Sequence, residues 1–344
     1  MCIVCESEKN NDDHKSLRGS WRIDIWDCDS LISVPVIEGF KELNMSYCNS
    51  ITSIPAIEGL QGLVICYCNS VTSIPVIEGL QKLHICSCDL ITSIPVIKGL
   101  QKLRMWYCDS LTYVPVIEGL KELHIENCES ITYIPVIEGL QILYIERCNS
   151  ITSIAGIEEL KELHIYYCNS ITSVPVIGGL QKLHVWFCNS LTSVPVIKGL
   201  QILEIYSCDS LTSVPVIEGL QKLSILFCDS LTSVSSIEGV QELNILYCDS
   251  ITSIPVIEGL KKIRVYSCKW LDISDIQRGS VLKLQQRMKR KARLKMFKKY
   301  IRSREFCEWF YSPDEFGGQA SKRSIGSFIQ KVVEDRRDSK RQKV

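Results

Sequence analysis

Cysteine is the residue whose number and spacing first suggest chemistry in this sequence of 344 residues. Of its 18 cysteines, 13 recur every 20 residues. Thiolates can ligate zinc, form disulfides or act as nucleophiles, but these thirteen form no CxxC pairs and do not group into fours. We therefore predict a structural cysteine column, in which each buried thiol faces a neighbouring backbone carbonyl. Its members are Cys28, Cys48, Cys68, Cys88, Cys108, Cys128, Cys148, Cys168, Cys188, Cys208, Cys228, Cys248 and Cys268.

A second grouping places thiols beside a histidine. His84 and Cys86 are two residues apart in an alternating segment, so both face the same side of a strand, with Cys66 on the neighbouring strand. This is the best candidate in the chain for a thiol nucleophile or a metal site. No third orienting group or oxyanion donor accompanies it. We therefore predict no catalytic residue, no metal and no cofactor, and we expect that the chain is not an enzyme.

Composition narrows the class of protein. The hydrophobic fraction is 46%, enough for a large core, yet no apolar run reaches the ~20 residues that span a bilayer. The first 20 residues are polar, carry a lone CxxC at Cys2 and Cys5, and lack the pattern of a secretory signal. A compartment that keeps thiols reduced fits this composition. The sequence thus predicts an intracellular protein of the cytoplasm or nucleus that is not secreted.

Internal repetition sets the predicted architecture. One unit, residues 60–79, reads LQGLVICYCNSVTSIPVIEG. Its first half alternates as a strand does, with Leu63 and Ile65 pointing one way and Val64 and Cys66 the other. Proline in the second half argues against a helix and favours an extended or 3-10 return path. Stacked units bury the apolar edge that a single unit leaves open, with strands ~4.8 Å apart in a parallel sheet.

The predicted fold is a solenoid with a parallel β-sheet on its concave face and extended or 3-10 segments on its convex side. We expect three segments: a disordered polar terminus (1–20), a solenoid of 13 repeats (21–276) and a basic α-helical extension (277–344).

The repeat consensus LxxLxIxxCxSITSIPxIEG resembles the leucine-rich repeat family, in a short form with cysteine where many members have asparagine. The resemblance covers residues 21–276 and implies a solenoid fold. The proline-containing return segment is similar to the short repeats of bacterial effector proteins, and the ITS motif is similar to the cysteine-containing repeats of F-box receptors. The tail sequence LQQRMKRKARLKMFKKYIRSREFCEWFYSPDEFGG resembles the ends of leucine-rich repeat proteins of amoeba-infecting giant viruses, which implies an infected host cell.

The positions that flank the central Ile of each strand point away from the core and differ most between copies. They hold Trp, Tyr, His and Arg, which are enriched at interface hot spots. We predict a protein-binding concave face centred on Trp106, Tyr144, Tyr166, Trp186 and Tyr206. The same predicted face includes His84, Arg104, Tyr107, His124, His164, His184 and Arg264. The alternative is that exposed positions drifted after duplication and that the rings stabilise the sheet through cross-strand pairs.

The charge is divided unevenly along the chain. Residues 278–344 contain 20 Lys and Arg but 7 Asp and Glu, whereas the preceding part is acidic. Residues 287–304 hold ten basic residues and no acid, with apolar residues at helical spacing. We predict that this segment binds nucleic acid, an acidic membrane surface or a calmodulin-like protein. Alternatively, the tail caps the open end of the solenoid, or it folds onto a rim of repeated glutamates.

The sequence as a whole predicts a non-catalytic protein–protein interaction module. Alternatively, the chain is the substrate-recognition subunit of a ubiquitin-ligase assembly, similar to F-box or effector proteins. This function requires an adaptor site in the tail.

Overall fold

A computed structural model of the chain describes residues 21–35, 39–234, 239–251 and 261–266. These residues belong to one compact unit. The predicted disordered terminus and the predicted helical extension both lie outside the described residues.

Strands of five residues, placed 20 residues apart, form a single parallel sheet of 13 strands. In every pair, a residue lies opposite the one 20 positions later, as Leu163 lies opposite Leu183. The predicted parallel solenoid is therefore confirmed. Its sheet strands are β1 (Arg22–Trp26), β2 (Glu42–Ser46), β3 (Gly62–Cys66), β4 (Lys82–Cys86), β5 (Lys102–Trp106), β6 (Glu122–Glu126), β8 (Ile142–Glu146), β10 (Glu162–Tyr166), β11 (Lys182–Trp186), β12 (Ile202–Tyr206), β14 (Lys222–Leu226), β16 (Glu242–Leu246) and β17 (Lys262–Tyr266).

Alternation along each strand sends two side chains into the core. In β6, Leu123 and Ile125 are fully buried, while Glu122, His124 and Glu126 are partly exposed on the opposite side. Burial of a leucine or isoleucine side chain stabilises the folded state by about 1.5–3 kcal/mol. Because the register repeats at every strand, these side chains form continuous apolar rows between the sheet and the return segments.

The described return segments are extended, which is one of the two paths that the proline predicted. Short parallel pairs form there between β7 (Tyr133–Ile134) and β9 (Ser153–Ile154), and between β13 (Ser213–Val214) and β15 (Ser233–Val234). The part of the chain that the structure describes contains no helix. Of the two predicted return paths, the extended one is therefore the one that these residues adopt.

Directly after twelve of the 13 sheet strands, the chain turns at a corner residue in the left-handed region. Twelve non-glycine corner residues, from Asp27 to Tyr247, have φ between 49° and 59°. The N–H of the corner residue donates to the last carbonyl of the next strand, as Tyr107 donates to Glu126 at 2.9 Å. The left-handed region strains an L-residue by about 1–2 kcal/mol. The hydrogen bond at each corner helps to hold this conformation.

Ser87 tests the strain at a corner, because its φ is 49°. A β-branched side chain is particularly unfavourable at positive φ, so Ser87→Val is expected to lower the free energy of unfolding by roughly 1–2 kcal/mol. Ser173→Val provides the matched control, because Ser173 forms a parallel β-bridge with Ser193 in the extended return segment. Urea unfolding of both variants measures the difference. Equal losses would contradict the assignment of strain to the corner.

Candidate functional site

The outward side of the 13-stranded sheet, here called the sheet face, carries the first, third and fifth residue of each strand. The register aligns these residues in rows, so that His164 lies opposite His184 and Tyr166 opposite Trp186. The third-position row contains His84, Arg104, His124, Tyr144, His164, His184 and Arg264, and the fifth-position row contains Trp106, Tyr166, Trp186 and Tyr206. Tyr107 follows β5 at a corner. The structure therefore brings the predicted strand side chains onto one surface, with Tyr107 at the corner after β5.

Ring contacts join neighbouring members of these rows. His124 and Tyr144 stack with centroids 5.3 Å apart, and Tyr144 meets Tyr166 edge-on at 5.1 Å. Tyr166 stacks on Trp186 at 4.6 Å, and Trp186 meets Tyr206 edge-on at 6.4 Å. Aromatic pairs of this kind contribute about 0.5–1.5 kcal/mol beyond the area they bury. The rings therefore help to stabilise the sheet, which is the role given to them by the alternative hypothesis.

Three rings at the predicted centre of the binding face are almost inaccessible. Tyr166, Trp186 and Tyr206 expose 4%, 5% and 5% of their surface, respectively. Rings so deeply covered offer a partner little area, and their role in partner binding stays a prediction. The physical reason lies partly in the spacing of the strands. Side chains in register are ~4.8 Å apart, so successive bulky rings cover part of one another.

The accessible rings lie nearer the N-terminal end of the sheet. We call Trp26, Tyr47, Tyr67 and Tyr107 the ring platform, and they expose 66%, 43%, 38% and 48% of their surface, respectively. Tyr47 and Tyr67 stack at 4.7 Å with 2° between their planes, and Trp26 meets Tyr47 edge-on at 6.3 Å.

Sequence reasoning included Tyr107 in the binding face but omitted the other three platform rings. Trp26 occupies the fifth position of β1, which pairs with one strand only in the described sheet. A ring at the end of the sheet has fewer neighbours to cover it. The position of Trp26 in the first repeat is therefore the sequence signal that could have identified it as exposed.

Three histidines of the third-position row are kept uncharged. Burial is the largest cause, and it lowers the pKa of His84 to about 4, of His124 to about 3 and of His184 to about 4. The Arg104 guanidinium lowers the first two further, whereas the Glu204 carboxylate opposes the shift at His184. These side chains therefore present neutral imidazoles near pH 7.

The low pKa values make stability depend on pH. Between about pH 6.5 and pH 4, the unfolded chain binds protons that the folded histidines do not. Their contribution is fully present above pH 6.5 and is lost as the pH falls through that window. His124→Phe keeps a ring against Tyr144, so we expect it to reduce the slope of unfolding free energy against pH by up to about 1.4 kcal/mol per unit. Urea unfolding across the window measures both slopes, and identical slopes would refute the assignment.

Two carboxylates also meet in register on the sheet face. Glu126 lies opposite Glu146, which exposes only 2% of its surface. Burial, followed by the charge of Glu126, raises the pKa of Glu146 to about 7. The Tyr144 hydroxyl donates to Glu146 Oε2 at 2.8 Å, and Arg147 Nη1 lies 3.0 Å from its Oε1. Proton uptake by Glu146 in the folded chain stabilises it as the pH falls, which opposes the effect of the histidines on the unfolding free energy. Because Glu146 is present both in the unmodified chain and in His124→Phe, its effect cancels when the two slopes are compared.

The described members of the cysteine column lie in the core, and no described cysteine forms a disulfide bond. Cys128 is fully buried, and its Sγ donates weakly to the carbonyls of Met105 at 3.5 Å and Glu126 at 3.4 Å. Burial raises the pKa of Cys88 to about 11. Buried thiols of this kind are poor nucleophiles. Cys268 lies outside the described residues.

Replacement of Cys128 tests how tightly the column is packed. Cys128→Leu adds volume at a site without exposed surface, so the free energy of unfolding should fall by about 1–3 kcal/mol. Cys128→Ala removes only the sulfur and its weak hydrogen bonds, and a loss of about 1 kcal/mol is expected. Chemical denaturation of the two variants gives the comparison. A leucine tolerated as well as alanine would contradict close packing.

The predicted grouping of His84 and Cys86 lies on β4, with Cys66 in register on β3. The His84 imidazole packs edge-on against Trp106 with centroids 4.3 Å apart, and Cys86 Sγ lies 3.8 Å from Ser87 Oγ. Across the described ranges, no group of three or more His, Cys, Asp or Glu residues is placed to hold a metal ion. In the same residues, no helix has the length and apolar character needed to cross a bilayer.

The repeat pattern and the 13-stranded parallel sheet define a solenoid of 20-residue repeats, and the solved structures to which it is similar include leucine-rich repeat proteins. Similar solved structures include a leucine-rich repeat protein from Bacteroides ovatus, with 17% identity, a TM-score of 0.43 and coverage of 72% of this chain and 84% of that chain. The leucine-rich repeat domain of the type III effector XopL has 14% identity, a TM-score of 0.34 and coverage of 76% and 81%, respectively. A leucine-rich cell surface protein from Faecalibacterium prausnitzii has 14% identity, a TM-score of 0.23 and the same two coverages.

No protein-family model matches the sequence, and neither does any curated protein. The resemblance of the tail to giant-virus proteins concerns residues outside the described ranges, and it stays a prediction.

Proposed function

We propose that the chain is a non-catalytic protein-interaction module whose partner docks on the N-terminal half of the sheet face. One observation supports this proposal: the four platform rings expose 38–66% of their surface, and Trp26, Tyr47 and Tyr67 contact one another in succession. Contiguous exposed apolar surface of this kind marks interaction sites in proteins. Tyrosine and tryptophan add a polar group to a large contact area, which suits a protein surface as partner.

The platform is held in place before any partner arrives. The parallel stack of Tyr47 on Tyr67 restricts both rings, and the backbone N–H of Tyr67 donates to the Cys86 carbonyl at 2.8 Å. Side chains that are already ordered lose little conformational entropy on binding. Preorganisation of this kind favours affinity without additional contacts.

Several of the predicted site residues adjoin the platform. Trp106 and Arg104 lie on β5, directly before Tyr107, and both are half-buried. His84 packs against Trp106 from the neighbouring strand. We assign these side chains to the edge of the docking surface, where they add neutral polar groups and one positive charge. The covered rings Tyr166, Trp186 and Tyr206 belong instead to the supporting sheet.

The other predicted partners depend on residues outside the described ranges, so they remain proposals. Residues 287–304, proposed to bind nucleic acid or an acidic surface, and any adaptor site for a ubiquitin-ligase assembly in the tail lie outside the described ranges. An intracellular location is proposed because the described column thiols form no disulfide bond, and a reducing compartment would keep them in that state.

The docking proposal is tested with a double variant, Tyr67→Ala with Tyr107→Ala. A partner found by proximity labelling with the unmodified chain is purified, and its Kd is measured by calorimetry against both proteins. Hot-spot rings contribute about 2 kcal/mol or more each, so a loss of affinity of at least ~30-fold is expected from the double variant.

The matched control is Tyr113→Ala with Tyr133→Ala. These tyrosines expose 52% and 48% of their surface, respectively, and lie on the return segments outside the 13-stranded sheet. The control variant should bind the partner with unchanged affinity. If the two double variants lose affinity equally, or if only the control loses it, the proposed docking surface is wrong.

A further inference from the structure

Cys66 and Cys86 stand apart from the cysteine column. Both occupy the fifth position of a strand, so they lie on the sheet face, whereas the column lies in the core. They are register partners on β3 and β4. Adjacent strands are ~4.8 Å apart, which lies within the ~4.4–6.8 Å between Cα atoms that a disulfide spans. The topology therefore places two thiols side by side on an outward surface.

The surroundings of the two thiols differ from those of the column. Cys66 is half-buried and Cys86 exposes 5% of its surface, with Ser87 Oγ 3.8 Å from Cys86 Sγ. A hydrogen bond from the Cys66 thiol is the largest cause that lowers the pKa of Cys86 to about 7, and the Ser87 and Tyr67 hydroxyls lower it further while burial opposes them. The same contact raises the pKa of Cys66. One thiol is thus favoured as thiolate and its neighbour as thiol.

Cys88 and Cys108 of the column offer a direct contrast, whereas column members with a lowered pKa, Cys68 and Cys128, differ from Cys86 in being fully buried in the core. Cys88 is fully buried two residues after Cys86, and burial raises its pKa to about 11. Cys108, the next column member, exposes 1% of its surface, and the pKa of its thiol is also raised. Thiolate character and access decide which cysteines are oxidised. The Cys66 and Cys86 pair meets both conditions better than the pair of Cys88 and Cys108.

We propose that Cys66 and Cys86 form a redox-active dithiol on the sheet face, which a small hydroperoxide converts to a disulfide. This inference is independent of the proposed docking function, because it concerns the thiols and the oxidant alone.

The reaction has two steps that balance. The Cys86 thiolate attacks the terminal oxygen of the hydroperoxide, so an S–O bond forms, the O–O bond breaks, and the leaving alkoxide takes a proton to become an alcohol. The Cys66 sulfur then attacks the Cys86 sulfur of this sulfenic acid. The S–S bond forms, the S–O bond breaks, and the released hydroxide combines with the proton lost by Cys66 to give water. Overall, two thiols lose two electrons and two protons, and the peroxide is reduced to alcohol and water.

The test uses the full reduced chain and hydrogen peroxide in slight excess. Remaining thiols are alkylated after timed quenching, and cysteine peptides are quantified by mass spectrometry. We expect a Cys66–Cys86 linked peptide to appear at least ~10-fold faster than any linked peptide of Cys88 and Cys108, because only the former pair combines thiolate character with access. Trp106 lies opposite Cys86 in the register, so its fluorescence should change at the same rate.

Two variants separate the roles of the thiols. With Cys66→Ser, oxidation of Cys86 should stop at the sulfenic acid, which dimedone traps. With Cys86→Ser, neither the linked peptide nor dimedone labelling at residue 66 should rise above the column background. The proposal is overturned if the unmodified chain, whose folding is not at issue, oxidises Cys66 and Cys86 no faster than Cys88 and Cys108, or forms no link between them.

Discussion

The hydrogen bonds between neighbouring parallel strands impose the constraint on which the rest of the structure depends. Each residue must lie beside the residue 20 positions away, from Arg22 opposite Glu42 to Tyr166 opposite Trp186. This register lines up apolar residues into a core, thiols into a buried column and rings into stacked rows. It also means that a side chain is influenced chiefly by two homologous neighbours. The properties of the sheet face are therefore set by local triplets of repeats.

Much of the architecture could be predicted, because the 20-residue register between strands is visible as a repeat in the sequence. The alternation of Leu63, Val64 and Ile65 predicted strand positions, and the fixed period predicted that strands pair in parallel. The proline of the repeat, Pro75 in residues 60–79, argued against a helix and so predicted an extended or 3-10 return path. Each of these inferences uses a property that a residue carries regardless of its surroundings.

Accessibility and backbone strain could not be inferred in this way. Trp106 and Trp186 occupy equivalent positions, yet Trp106 is half-buried while Trp186 exposes 5% of its surface. The neighbours of Trp186 in the register are Tyr166 and Tyr206, whereas those of Trp106 are Cys86 and Glu126. The left-handed corners were also missed, because tyrosine and phenylalanine give no sign of positive φ where glycine would. Both properties emerge only when several repeats are placed together.

The sheet face can change its length only by whole repeats, because all its strands have the same length and spacing. Each repeat extends it by ~4.8 Å and brings its own core residues, corner and return segment. Duplication or excision of 20 residues would leave every remaining hydrogen bond with an equivalent partner. A shift by one residue would instead put Leu63 beside a polar residue and turn every later side chain to the wrong side. The length of this surface can consequently evolve in steps, without the design of a new interior.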